Sequence, residues 1–430
     1  MPDPRALRPW LLPAYAVATL FPRLLALPGL PAGVQLTELL FPFLLLAYGR
    51  SALAEVRRFP WVAAALLFYC GVNLLAASGA SSFGADAGDD TWTEAGARGY
   101  LAVLAFLALA AARAHGTLRL ATVWRNATLG VALAALLAYG ITLTTGWTFD
   151  RWVTHFDVYP YFGSVYRLRG PAVSYGMLYL LLLPGLLLAF GEFWSGRSRW
   201  AFPVIALAGL LTLGKENLLL PVGVLLVLGF TLRRRSLHLL ARTAAAAVAA
   251  LLLFTTHYLV VRPATELTAT AYVNDRSYPL FAGYRLAETN YTENKRAALH
   301  LGRHYPWLGV GPGRFADRTA ELVPTGDYPA RFGRFDPHST WTGALAETGH
   351  LGLLALLLFA LAVFRAGPPA RRAPVLTAIL GCLLLASVFT DLMNFRQLWI
   401  LLAWYLLAAT DPTLAANPQP TPDVPTGRLA

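Results

Sequence analysis

Four short stretches bring ionisable side chains to the ends of long apolar runs. In "DPHSTWTGALAETGHLG", residues 336–352, Asp336 is a good helix N-cap and Pro337 suits the first helical position. His338 is then expected in the first turn, where unpaired backbone N–H groups disfavour an imidazolium and leave a neutral base. Glu347 falls about 180° around that ideal helix and is not expected to partner His338 directly. In "YRLRGPAVSYG", residues 166–176, Arg167 and Arg169 carry guanidinium forks that match phosphate oxygens, beside a glycine that lets a ligand approach the backbone. In "LTLGKENLLLP", residues 211–221, Lys215 and Glu216 sit in a very tight connection. They either pair with each other, or Lys215 serves as a point charge for an anion. In "HYPWLGVGPGRF", residues 304–315, the glycines lack the Gly-Lys-Ser/Thr of a phosphate loop, which excludes a nucleotide site of that kind. The stretch reads as a tight turn resting Trp307 and Phe315 on a membrane surface, with His300, Arg303, His304 and Arg314 as candidate cavity residues.

The elements that must position these residues are membrane helices. The chain has 430 residues, of which 57% are hydrophobic and 13% charged, about half the charged share of a soluble domain. The net charge of +12 lies in short clusters between apolar runs, the pattern of positive-inside loops and not of nucleic-acid binding. Apolar stretches of roughly 20 residues are expected at 10–29, 34–49, 59–77, 98–114, 121–146, 171–191, 200–213, 217–232, 239–262, 339–364, 373–390 and 395–410. The first resembles a signal peptide but is broken by Arg23 and Pro28 and reads as an uncleaved span. The fold class is therefore an all-α membrane protein of about twelve transmembrane helices, one polytopic domain over 1–410. A proline-rich tail, 411–430, is expected to be disordered. Cys70 and Cys382 both lie in apolar runs, so neither a disulfide framework nor a zinc motif is expected.

Loops 50–58, 113–125, 192–200, 233–242 and 365–373 hold 15 arginines against Glu55 and Glu192, whereas loop 78–97 holds four acids and no lysine or arginine. Positive-inside bias puts the arginine loops and both termini in the cytoplasm. It makes 263–338 a long extracytoplasmic loop between the ninth and tenth helices. Cations in short outer segments run against that bias and ask for another reason; they are Arg98, Arg151, Arg167, Arg169, Lys215 and Arg396. Arg169, Lys215 and His338 stand at three separate outer helix ends. Two cations and a neutral base suit a diphosphate leaving group, and a lipid diphosphate sugar brings its own activation to a compartment without ATP. No HExxH, CxxC or DxD pattern occurs, so side-chain cations and not a metal or other cofactor are expected to neutralise that group. Plainer roles stand beside these: His338 as an interfacial residue, Arg167 and Arg169 as anchors snorkelling out of the membrane.

The same stretches resemble the O-antigen ligase and O-antigen polymerase superfamily. The likeness rests on "RLRGPAVSYG", "LTLGKENLLL", "YPWLGVGPGRF" and "PHSTWTGALAETGHLGLL", with His338 followed by Glu347-Thr348-Gly349-His350-Leu351-Gly352. It covers roughly residues 160–365 in motifs and the whole chain in span number. It implies a polytopic glycosyltransferase of the GT-C type in the bacterial inner membrane, acting at its periplasmic face. Such an enzyme moves a glycan from undecaprenyl diphosphate to a sugar hydroxyl on a second glycan or a lipid A core, with membrane lipid and a polysaccharide chain-length regulator as further partners. The family's phosphate-binding arginine maps onto Arg169 and its base onto His338. Where the family has Ser-Arg-Gly, this chain has Gly214-Lys215-Glu216, which keeps a charge but loses the bidentate fork. A transporter or flippase for the same lipid-linked glycan, and a non-catalytic assembly component, are the rival readings.

Overall fold

A computed structural model describes residues 4–22, 35–80, 88–147, 152–159, 163–172, 174–232, 234–257, 260–263, 273–279, 282–326, 328–329 and 335–410. Arg23, Arg151 and the tail 411–430 lie outside the described residues. Each expected apolar segment overlaps a helix. In chain order these are α1 (Pro4–Ala18), α2 (Leu36–Arg58), α3 (Pro60–Ala80), α4 (Gly88–His115), α5 (Leu118–Thr145) and α6 (Tyr175–Trp194). There follow α7 (Ala201–Leu210), α8 (Leu219–Thr231) and α9 (Arg235–His257). After the long connection come α12 (Thr340–Ala366), α13 (Pro374–Ala386) and α14 (Arg396–Thr410). Among the described residues, seven of them (α2–α6, α9 and α12) are long and apolar enough to cross a bilayer. The protein is thus a multi-pass, predominantly helical membrane protein.

Burial follows composition. The run Leu178–Phe190 of α6 is buried without a break, because its leucines leave no polar face to turn outward. Ser174 starts that helix, its hydroxyl accepting the Met177 N–H at 3.2 Å. By contrast, α2 turns Phe43, Leu46 and Leu53 outward, as a lipid-facing helix does.

The connections hold structure that the helical periodicity did not reveal. An antiparallel hairpin of β1 (Val153–Tyr159) and β2 (Gly163–Leu168) precedes α6. The long connection carries β3 (Val260–Pro263), β4 (Val273–Pro279) and β5 (Tyr284–Thr289) in the order β3-β5-β4, then α10 (Asn290–His304) and α11 (Phe315–Thr319). Phe315, Leu301 and Val310 from this region bury against Ala346 of α12 as a second small core.

The 27-residue α12 is two half-helices. Gly349 has φ 67° and ψ −164°, a conformation open essentially only to glycine. The turn 306–311 docks into this break. Val310 and Gly311 donate N–H to the carbonyls of Ala346 and Glu347, both at 2.9 Å, and His350 N–H donates to the Pro306 carbonyl at 2.7 Å. The backbone groups freed by the break are thus satisfied by the loop instead of by lipid. The expectation that this glycine-rich turn rests both aromatics on the membrane is corrected: Trp307 is exposed, but Phe315 is 1% exposed and packs inside.

Candidate functional site

A cavity of about 490 Å³ opens where the ends of these helices meet. Its walls come from α3 (Tyr69, Asn73), α4 (Glu94, Arg98), α6 (Gly176, Met177), α10 (Tyr291), α12 with the residues before it, and the α13–α14 connection (Asp391, Asn394). The 3-10 turn Lys215–Leu218 adds Glu216.

His338 lines this cavity, but not from a helix. Ser339 is the N-cap of α12, its hydroxyl accepting the Thr342 N–H at 3.3 Å, so Asp336 is not the cap and His338 precedes the first turn. The nearer hydroxyl takes the capping position, and the Asp336 carboxylate is left to partner the histidine. It accepts the His338 backbone N–H at 2.8 Å and pairs with Nδ1. In a neutral ring that pairing puts the proton on Nδ1 and leaves the lone pair on Nε2. Desolvation pulls the Asp336 carboxyl upward although its side chain is 63% exposed, but the contacts with His338 outweigh it and hold it below the usual carboxylate range. His338 itself has φ 47°, a left-handed backbone rare in non-glycine residues and concentrated at functional sites.

The strain is held by its surroundings. Asn294 of α10, fully buried, donates to the Asp336 carbonyl at 3.3 Å and accepts from the Tyr328 hydroxyl at 2.7 Å. Thr340 donates its N–H to the Ser387 carbonyl at 2.9 Å and accepts the Leu392 N–H at 2.9 Å, tying the start of α12 to the α13–α14 connection. The Tyr291 ring lies 4.8 Å from the His338 ring, and the Lys215 ammonium lies 3.0 Å from the centroid of that same Tyr291 ring. Lys215 is the other side of a cation–π contact and not a wall of the cavity. Burial lowers its pKa to about 7; Glu216 pulls it back up and Lys295 pushes it further down.

Arg167 is buried and serves the turn. Its Nε and Nη2 donate to the carbonyls of Thr212 and Leu213 at 2.9 and 3.0 Å, and its guanidinium stacks 3.3 Å over Tyr175. This clamps Leu213 at φ 48° and sets out Gly214-Lys215-Glu216. Arg169 donates from Nε to the Ala172 carbonyl at 3.3 Å and from its backbone to the Trp152 carbonyl at 2.8 Å; it is not among the cavity-lining residues. Arg303 and His304 are exposed on α10, His304 stacked on His300 at 4.2 Å. Arg314 pairs with Asp317 at 3.6 Å, while its neighbours Gly313 and Phe315 line the cavity. Of the expected site residues, the structure thus brings His338 to the cavity and Lys215 to the ring beside it. Arg167 sits behind them as a support, and Arg169, Arg303, His304 and Arg314 lie off the lining.

The acids were not among the expected site residues. Glu94, Glu216, Asp336, Glu347 and Asp391 all line the cavity, with Arg98 as the guanidinium among them. Arg98 lies 3.7 Å from both Glu94 and Asp391 and donates to Asn394. The signal for Arg98 was its place as a cation beside an acidic connection. Glu347 shares the cavity with His338 because His338 lies ahead of the helix, where the ideal 100° phase does not apply. Among the described residues no group of three or more His, Cys, Asp or Glu is arranged to hold a metal ion. Compared with protein-family models and with curated proteins, the chain matches none.

Proposed function

We propose that the protein is a membrane glycosyltransferase that moves a glycan from an undecaprenyl-diphosphate donor to a sugar hydroxyl, in the manner of O-antigen polymerases and ligases. The observation that carries this reading is the Asp336–His338 pair, strained in backbone and set on a cavity walled by carboxylates, an arginine and aromatic rings. In the proposed step His338 Nε2 takes the proton of the acceptor hydroxyl as its oxygen bonds to the anomeric carbon. The anomeric carbon–oxygen bond to phosphate breaks and the diphosphate departs with the electron pair. Asp336 stabilises the imidazolium formed, which then loses its proton to water. Lys215 and Arg169 are the cations assigned to the leaving group by the resemblance, and Lys215 must leave the Tyr291 ring to reach it.

The active face is proposed to be periplasmic and the termini cytoplasmic. In support, three of the arginine loops, 50–58, 113–125 and 192–200, are joined by ion pairs at the C-terminal ends of α4 and α6, and the cavity is lined from near their N-terminal ends. Twelve crossings, with α1, α7, α8, α13 and α14 added to the seven long helices, give that arrangement. Whether the acceptor is a lipid-linked repeat or a lipid A core is set by product analysis with each offered separately.

One observation favours a transporter instead: a broken helix whose gap is filled by a loop, beside a charged cavity, is a device of secondary transporters. Detergent-solubilised protein given a lipid-diphosphate-linked glycan and a sugar acceptor separates the two. Elongated or transferred product supports the enzyme. Absence of product, with movement of the same lipid across a vesicle bilayer, supports transport.

A further inference from the structure

Two buried groups on the cavity wall lack the partners that burial demands. Glu216 is 6% exposed, and its Oε2 has no hydrogen-bond partner among the described residues. The carboxylate is held between two glycines: a Cβ at Gly176 would come within 2.7 Å of its Oε1, and one at Gly214 would overlap its Oε2. Arg98 is likewise 6% exposed, and its Nε is buried without a partner although its other nitrogens meet Asn394, Glu94 and Asp391. An unmade hydrogen bond on a buried charged group is costly, and a ligand hydroxyl reaching the cavity wall would complete it.

The two ask for opposite things. Glu216 needs a donor, and Arg98 offers one and needs an acceptor. A sugar hydroxyl supplies both at once. A ligand carboxylate or sulfate would satisfy Arg98 but would meet the acids that outnumber it on the same wall. The rings of Tyr69 and Phe389 add apolar wall for the C–H side of a pyranose.

We infer that this cavity is a subsite for an uncharged, polyhydroxylated sugar, anchored by Glu216 and Arg98, and that it rejects acidic sugars. The inference deepens the glycosyl-transfer reading by naming the sugar class. Glu216 acts here as a specificity-determining residue.

The test is saturation-transfer NMR on the full chain in detergent, with glucose, galactose and mannose each matched against its uronic acid. At least one neutral hexose is expected to bind, and its uronic acid about tenfold more weakly, as like-charge juxtaposition requires. Glu216→Gln, nearly isosteric, is expected to shrink that ratio to about twofold, the like charge being gone. Glu216→Ala, checked by gel filtration and melting temperature, gives the same direction should the amide find a new partner. Equal or tighter binding of the uronic acid by the wild type overturns the inference, as does binding of no sugar in the panel. An unchanged ratio in both folded variants removes Glu216 from the role. Because binding is read without turnover, a protein that discriminates sugars but transfers none would refute the enzyme and leave the subsite standing.

Discussion

The two ends of the helical bundle handle charge in opposite ways. At the arginine-rich end the acids are outnumbered and satisfied. Glu55, 5% exposed, accepts from Arg113 at 2.6 and 3.0 Å and from Arg58 at 3.3 Å, and Glu192 pairs with Arg125. At the cavity end the balance is inverted. Five carboxylates line one space with Arg98, its ion pairs are stretched to 3.7 Å, and two buried polar atoms are unmatched. A fully satisfied charge network rigidifies a fold, whereas an unmatched buried group asks for a reason to be kept. The difference leaves the cavity end with the unmatched polar atoms that the proposed chemistry would use.

Breaking the charge balance at the cavity end is expected to have the largest effect on stability. Arg98→Ala strands Glu94 and Asp391 around a buried hole and is expected to cost about 3 kcal/mol, the low end for a broken buried pair because both acids are partly exposed. A drop in melting temperature in detergent reads it; no drop would mean that the cavity acids do not depend on Arg98. Next comes Gly349→Ala, which puts a Cβ into the Trp307 backbone and forces a non-glycine residue to φ 67°, ψ −164°. The strain alone is about 1–3 kcal/mol. It should appear as faster hydrogen exchange at Val310, Gly311 and His350, the amides that bridge the break. Exchange unchanged at those three would disprove the docking.

The pH dependence sharpens the comparison further. An unfolded Lys215 holds its proton to its ordinary value of 10.5, but the folded one releases it at about 7 because it is buried. Between those values the unfolded state binds more protons, so stability should rise with pH across that window. Lys215→Met should flatten the slope; a slope equally steep in the variant would contradict the burial of this amine. The smallest effect is expected from Arg58→Ala at the satisfied end, where a half-exposed arginine leaves Glu55 still held by Arg113. The loss should stay below about 1 kcal/mol, and a larger fall in melting temperature would erase the contrast between the two ends.

Much of this was legible in the residues. Apolar runs located the helices, because a lipid-facing or wholly buried helix has no polar face to hide the signal. The arginine spacing picked out a set of connections, three of which, 50–58, 113–125 and 192–200, are joined by ion pairs. His338 was legible from its place beside a helix start. Its partner was not, since Ser339 and Asp336 compete for one cap and only the folded chain decides. Glu347 was misplaced because ideal helical phase was carried back to His338, which lies ahead of the Ser339 cap and outside the helix. The strands of the long connection escaped a search for helical periods. The acids of the cavity lie on segments as far apart as Glu94 and Asp391, and nothing local ties them together.

The most direct test of the account is transfer from a lipid-diphosphate-linked glycan to a sugar acceptor in detergent, comparing the wild type with His338→Ala. Product by mass analysis from the wild type is predicted, with a rate lower by about 10²–10⁴ in the variant and gel filtration unchanged. Equal rates from both proteins would contradict the assignment of His338, and no product from the wild type would contradict the enzyme itself.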